Sequence, residues 1–244
     1  MEIYNLSTFT NRINERKGDN LHQFVQYMRE YGQEDVLKSC HFTAQKAFSR
    51  NTFDIESAIG YLDNYTLSEL VYDYLYENDI LDDYEIESPE DMEDMDDPMS
   101  CVDDMYNFNE YCINRAEEQI FDDLEEDNRN MIYIEREICV PKFTNRDKFY
   151  DLLKNDYKGK LGIYWTYCRG NAQAQWGIDN TGEAITLFGY VSPDDVDWEQ
   201  TILNNLLTPD EKELTLNDDA TVEIDCVKTE TGHIIFNGHL LYKA

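Results

Sequence analysis

Three short runs in the final 114 residues hold the side chains best suited to chemistry. Tyr133-Ile134-Glu135-Arg136-Glu137-Ile138 carries an arginine in a strand-like pattern, and Leu161-Gly162-Ile163-Tyr164-Trp165-Thr166-Tyr167 surrounds one aliphatic hydroxyl, Thr166, with aromatic rings. Glu211-Lys212-Glu213-Leu214-Thr215-Leu216 places two carboxylates one residue apart at the start of another strand-like run. Such a set could serve the breaking of a glycosidic bond to a ribose. A fixed carboxylate beside the ribose stabilises the oxocarbenium-like transition state, as in glycoside hydrolysis. A guanidinium holds pyrophosphate, and apolar or aromatic walls grip the leaving base and exclude water. Arg136, the Tyr164-Trp165-Thr166 run and Glu213 meet those three needs. The plainer alternative makes Arg136 a strand arginine paired with Glu135 or Glu137, and Glu211-Lys212-Glu213 an exposed strand start after the turn at Thr208-Pro209-Asp210.

Other chemistries lack their residues. The four histidines, His22, His41, His233 and His239, have no metal-ligand spacing, and the chain has no G-x-S-x-G, P-loop or G-x-G-x-x-G motif. The acidic run Asp91-Met92-Glu93-Asp94-Met95-Asp96-Asp97 lacks the central glycine and distal glutamate of an EF-hand loop, so no metal site is expected. Six cysteines at 40, 101, 112, 139, 168 and 226 form no C-x-x-C pair and read as reduced thiols. Trp165, Trp176 and Trp198 read first as core aromatics, with Trp165 also a candidate wall for the cofactor.

These candidate residues sit in a β-rich half. After Asn130 come short β-branched and aromatic runs: 131–140, 161–167, 184–191, 213–216, 220–227 and 233–242. Helical patterns interrupt them at 145–154, with Phe149, Leu152 and Leu153 inward, and at 194–207, with Trp198, Ile202, Leu203 and Leu206 inward. The order β-α-β-β-α-β-β-β predicts an α+β fold, because helices are too few for a doubly wound sheet.

The first half is a different material. Residues 1–130 carry 33 acidic and 9 basic side chains, a net of −24, whereas residues 131–244 carry 19 and 11, a net of −8. Between 51 and 114 there are 20 acidic residues and no lysine or arginine. Helical stripes persist through it: Leu21, Phe24, Val25 and Met28; Leu67, Leu70, Val71, Tyr74 and Leu75; Met105, Phe108, Cys112, Ala116 and Ile120. An acidic loop is expected over about 79–104, around Ser88-Pro89 and Asp97-Pro98. The boundaries predicted are an acidic, mainly helical domain at 1–128 and an α+β domain at 129–244.

The arginine, the Tyr164–Tyr167 run and the Glu-x-Glu pair, in that order, resemble the arginine, Ser-Thr-Ser and Glu-x-Glu series of the mono-ADP-ribosyltransferases. The resemblance covers about half the chain and implies a split β-sheet domain that takes NAD as substrate. By it, Arg136 anchors NAD, Tyr164, Trp165 and Thr166 line the pocket, Glu213 is the catalytic glutamate, and Glu211 meets the acceptor. A glutamate at that earlier position goes, in the family, with guanidinium acceptors. The chain departs from the family where Ser-Thr-Ser is replaced by Tyr164-Trp165-Thr166-Tyr167, leaving Thr166 as the one aliphatic hydroxyl in the motif.

A formal charge of −32 disfavours direct nucleic-acid binding, which draws its non-specific affinity from Lys and Arg on phosphates. The expected partner is a macromolecular acceptor, a protein with a basic surface. The start of the chain shows no secretory pattern and no run approaches a membrane span, so a cytoplasmic place is expected, the host cytoplasm if the chain is phage-encoded. A toxin or a phage effector against host defence would suit the design. A second class stays open: a non-enzymatic acidic inhibitor, a nucleic-acid mimic blocking the basic groove of a partner.

Overall fold

In a computed structural model, residues 54–84, 86–126, 128–141, 146, 147, 150, 161–172 and 182–244 are described. The stripe at 21–28, most of the predicted helix at 145–154, Trp176, His22, His41 and Cys40 lie outside them. The described chain is α+β, with helices and one antiparallel sheet of six strands. It divides into two compact units.

The helical unit takes residues 52–123 and 198–212. Its helices are α1 (Ile55–Tyr61), α2 (Asn64–Glu77), α3 (Pro89–Glu93), α4 (Met105–Asp123) and α5 (Trp198–Leu207). Aspartates start the first two: Asp54 accepts from the Ser57 amide at 2.7 Å and Asp63 from the Thr66 amide at 2.9 Å. Along α2, Leu70, Val71, Tyr74 and Leu75 point inward, and along α4 Phe108, Cys112, Ala116 and Ile120 do so, as helical spacing dictates. Met105 heads the same stripe yet is 43% exposed, since it opens the helix. Leu203 and Leu206 of α5 complete this core.

The stretch expected as an acidic loop is more built than that. It holds α3 and two short 3-10 turns, Leu81–Asp83 and Pro98–Cys101, and it buries Met92, Cys101 and Val102 in the helical core. Ser88 and Asp91 form a reciprocal cap at the start of α3. Apolar residues spaced among the acids let the segment pack while its carboxylates face water.

The sheet unit takes its described residues from 124–197 and 213–244. Its strands are β1 (Ile132–Pro141), β2 (Tyr164–Thr166), β3 (Gly182–Val191), β4 (Glu213–Thr215), β5 (Thr221–Thr229) and β6 (Ile234–Lys243), in the order β4-β2-β1-β3-β5-β6. One face is apolar: Ile132, Ile134, Ile138, Ile185, Leu187, Leu214, Val222, Ile224 and Val227 are all buried. Where the sequence draws one boundary at 128, the chain leaves the helical unit after Asp123 and returns to it for 198–212. No helix among the described residues is long and apolar enough to cross a membrane.

Candidate active site

Strand register decides which candidate residues meet. Glu135 on β1 lies opposite Thr166 on β2, and Thr166 lies opposite Glu213 on β4. Directly opposed residues share a face of the sheet. Glu135, Thr166 and Glu213 therefore form a row across three strands, with the outer two about 10 Å apart, two strand spacings. Tyr164 and Thr215 pair one pleat away on the same face. Alternation brings Tyr133 and Glu137 of β1 onto it, and β3 contributes Phe188 and Tyr190, opposite Glu135 and Tyr133. The Thr215 hydroxyl donates to Glu213 Oε1 at 3.4 Å, and Thr166 Oγ1 accepts from the Cys168 amide at 3.2 Å.

Arg136 and Trp165 are each one residue out of phase with this row, so they belong to the opposite face. There Arg136 falls between Ile134 and Ile138 in the alternation, is 8% exposed, and donates from Nη1 to the Tyr164 carbonyl. Trp165 pairs with Leu214, is 2% exposed, and donates from its indole to the Gly162 carbonyl at 2.8 Å. Of the expected cofactor-binding set, the structure gathers Tyr164 and Thr166 with Glu213 on the polar face. Arg136 and Trp165 are placed in the apolar layer behind it. A period of two was already visible in Ile134-Glu135-Arg136-Glu137-Ile138.

Glu211 closes a 3-10 turn, Pro209–Glu211, and is half-buried. Lys212 follows with φ 49°, a left-handed conformation, and its ammonium pairs with Asp123. This kink separates the two glutamates: Glu211 groups with the helical unit, whereas Glu213 begins β4.

The sequence offers Glu135 only as a possible partner of Arg136, yet it is the most enclosed acid of the face, 3% exposed. One carboxylate oxygen accepts from the Tyr133 hydroxyl and the other from the Gly170 amide at 2.9 Å. Burial, with help from that carboxylate, holds the Tyr133 phenol well above the ordinary tyrosine range. The Arg169 guanidinium lies 3.9 Å over the Tyr133 ring, and its Nε donates to Glu125 at 2.8 Å. That ion pair pushes the guanidinium pKa further up, so the side chain stays charged. Tyr133 also meets Tyr190 edge to face at 5.7 Å, and the Arg129 guanidinium sits 4.7 Å over Tyr190. The turn after β2 is thus fastened to β1 beside the Glu135–Thr166–Glu213 row, and Gly170 with φ 76° makes the bend.

Among the described residues no group of His, Cys, Asp or Glu side chains is arranged to hold a metal ion. No protein-family model, no curated protein and no solved structure matches this chain.

Proposed function

We propose that the sheet unit binds NAD on its polar face and transfers ADP-ribose to a macromolecular acceptor, as a mono-ADP-ribosyltransferase-like domain. The observation that carries this reading is the row Glu135–Thr166–Glu213 on neighbouring strands β1, β2 and β4. A hydroxyl flanked by two carboxylates on one rigid face suits a substrate that develops positive charge on a ribose.

In this reading the bond between ribose C1′ and the nicotinamide nitrogen breaks, and nicotinamide leaves with the bonding electrons. The Glu213 carboxylate stabilises the positive charge left on the ribose. A nucleophile of the acceptor forms the new bond at C1′ and releases its proton to the surrounding water. Thr166 and Tyr164 border the ribose. The pyrophosphate requires a cation on the same face, and Arg169, held over Tyr133, suits that task better than Arg136. Arg136 instead ties β1 to β2 through the Tyr164 carbonyl.

The deciding experiment is nicotinamide release from NAD by the purified chain, with and without cell extract, beside Glu213→Gln. Release that falls by roughly 100-fold or more in the variant, with an unchanged melting temperature, supports the assignment. Absence of both turnover and NAD binding, with extract present, overturns it.

A further inference from the structure

The helical unit presents a feature that NAD chemistry does not use. Tyr65, Tyr72 and Tyr76 follow one another at helical spacing along α2, so they stack on a single outward stripe. Tyr65 is 55% and Tyr76 65% exposed. The Tyr72 and Tyr76 rings lie 6.3 Å apart and nearly parallel, at 8°. Large rings exposed together along one helix face form the kind of patch that serves as an interaction surface. Their surroundings say what kind. The Tyr65 hydroxyl donates to Glu69 at 2.6 Å, the Tyr72 hydroxyl reaches the Glu87 carbonyl at 3.2 Å, and Glu90 and Glu93 on α3 lie close enough to push the Tyr65 phenol upward, after Glu69 itself.

Within the helical unit few cations are present to compete for this surface. The residues of the helical unit include 27 acids and two basic side chains, a net of −25. Both bases are engaged inside the unit, Arg115 with Asp73 and Lys212 with Asp123. Rings with negative faces, set among carboxylates, match the planar guanidinium, which stacks on an aromatic ring while its N–H groups pair with carboxylate. An ammonium finds only the charge. We infer that the α2–α3 face, centred on Tyr65, Tyr72 and Tyr76, docks an arginine-rich segment of a partner protein. This assignment stands whether or not the sheet unit turns over NAD.

The test titrates the full chain against two labelled peptides of equal length, one of arginines and one of lysines, at a fixed moderate salt concentration. The arginine peptide should bind about fivefold to tenfold tighter than the lysine peptide. Replacing Tyr65→Ala and Tyr76→Ala together should erase that preference and leave lysine-peptide affinity within about twofold, whereas Tyr65→Phe with Tyr76→Phe should retain it. Both tyrosines are exposed, so circular dichroism should report an intact fold in each variant. Equal affinities for the two peptides, or a preference that survives loss of both rings, means diffuse attraction to the acids alone and overturns the proposal. Failure of the arginine peptide to bind overturns it as well.

Discussion

Glu135 sets the terms at the scale of single residues. Its two carboxylate oxygens satisfy the Tyr133 hydroxyl and the Gly170 amide in a buried setting, so Glu135→Ala leaves two donors without that partner. The expected loss is about 2–4 kcal/mol, read as a lower urea midpoint at unchanged slope. Glu135→Gln keeps the volume and one acceptor and should cost about half as much. The two arginines separate by face. Arg169→Ala removes an exposed pair with Glu125, which contributes little to stability, but on the proposed NAD-binding reading it should weaken NAD affinity about tenfold in a direct titration. Arg136→Ala should do the reverse, lowering stability by about 2–3 kcal/mol through its lost bond to the Tyr164 carbonyl. The residue types of the candidate site were legible in the sequence, but grouping Tyr164, Trp165 and Thr166 with Arg136 overlooks the strand alternation that divides them between two faces. What the sequence does not carry is the pairing of strands remote in the chain. Nothing in 133–138 alone says that Glu135 meets Thr166, or that a glycine 35 residues on closes over its carboxylate.

At the scale of elements, the strand runs were readable because β-branched and aromatic residues cluster between polar turns, and all six strands fall within them to about the usual boundary error. The segment 79–104 reads as a loop because its acids outnumber its apolar residues. Met92, Cys101 and Val102 still anchor it, since a few buried side chains suffice to hold short helices. Gly189 shows how closely two strands approach. A Cβ there would meet the Glu223 carbonyl oxygen at 2.5 Å, beside the register shift between Phe188 and Gly189. Gly189→Ala should therefore destabilise by about 1–3 kcal/mol, as overpacking does, and shift the thermal midpoint down. At Gly170 a Cβ meets nothing within 4 Å, so Gly170→Ala should cost only about 1 kcal/mol, from its left-handed backbone alone. A matched pair of melting curves separates contact from conformation.

For the whole molecule, charge and buried protons govern the response to conditions. A net charge of −32 repels itself, so raising salt from low ionic strength should raise the melting temperature until screening saturates near the usual Debye lengths. The alkaline limb has a specific cause. Burial pushes the Cys112 thiol and the Tyr111 phenol up to about 12, and raises Tyr133, Tyr74, Tyr84, Tyr242, Cys101 and Cys226 in the same direction. In the unfolded chain these groups release protons at their ordinary values, near 9 for thiols and 10 for phenols. Above those values the unfolded state binds fewer protons than the folded one, so stability that is whole at neutral pH drains away as pH climbs toward 12. Urea midpoints at about pH 8 and about pH 10.5 should show the fall.

The return of the chain to its helical unit for α5 also fixes an order of assembly during synthesis. Leu203 and Leu206 leave the ribosome only after all of β1, β2 and β3, yet they belong to the core formed by α1, α2 and α4. A nascent chain that has emerged only as far as β3 carries Phe108, Cys112 and Ala116 without the helix that completes their packing. Translation of the sheet strands is thus a waiting period for the helices, and a cut placed at 128 would yield not a free helical module but one missing its last piece.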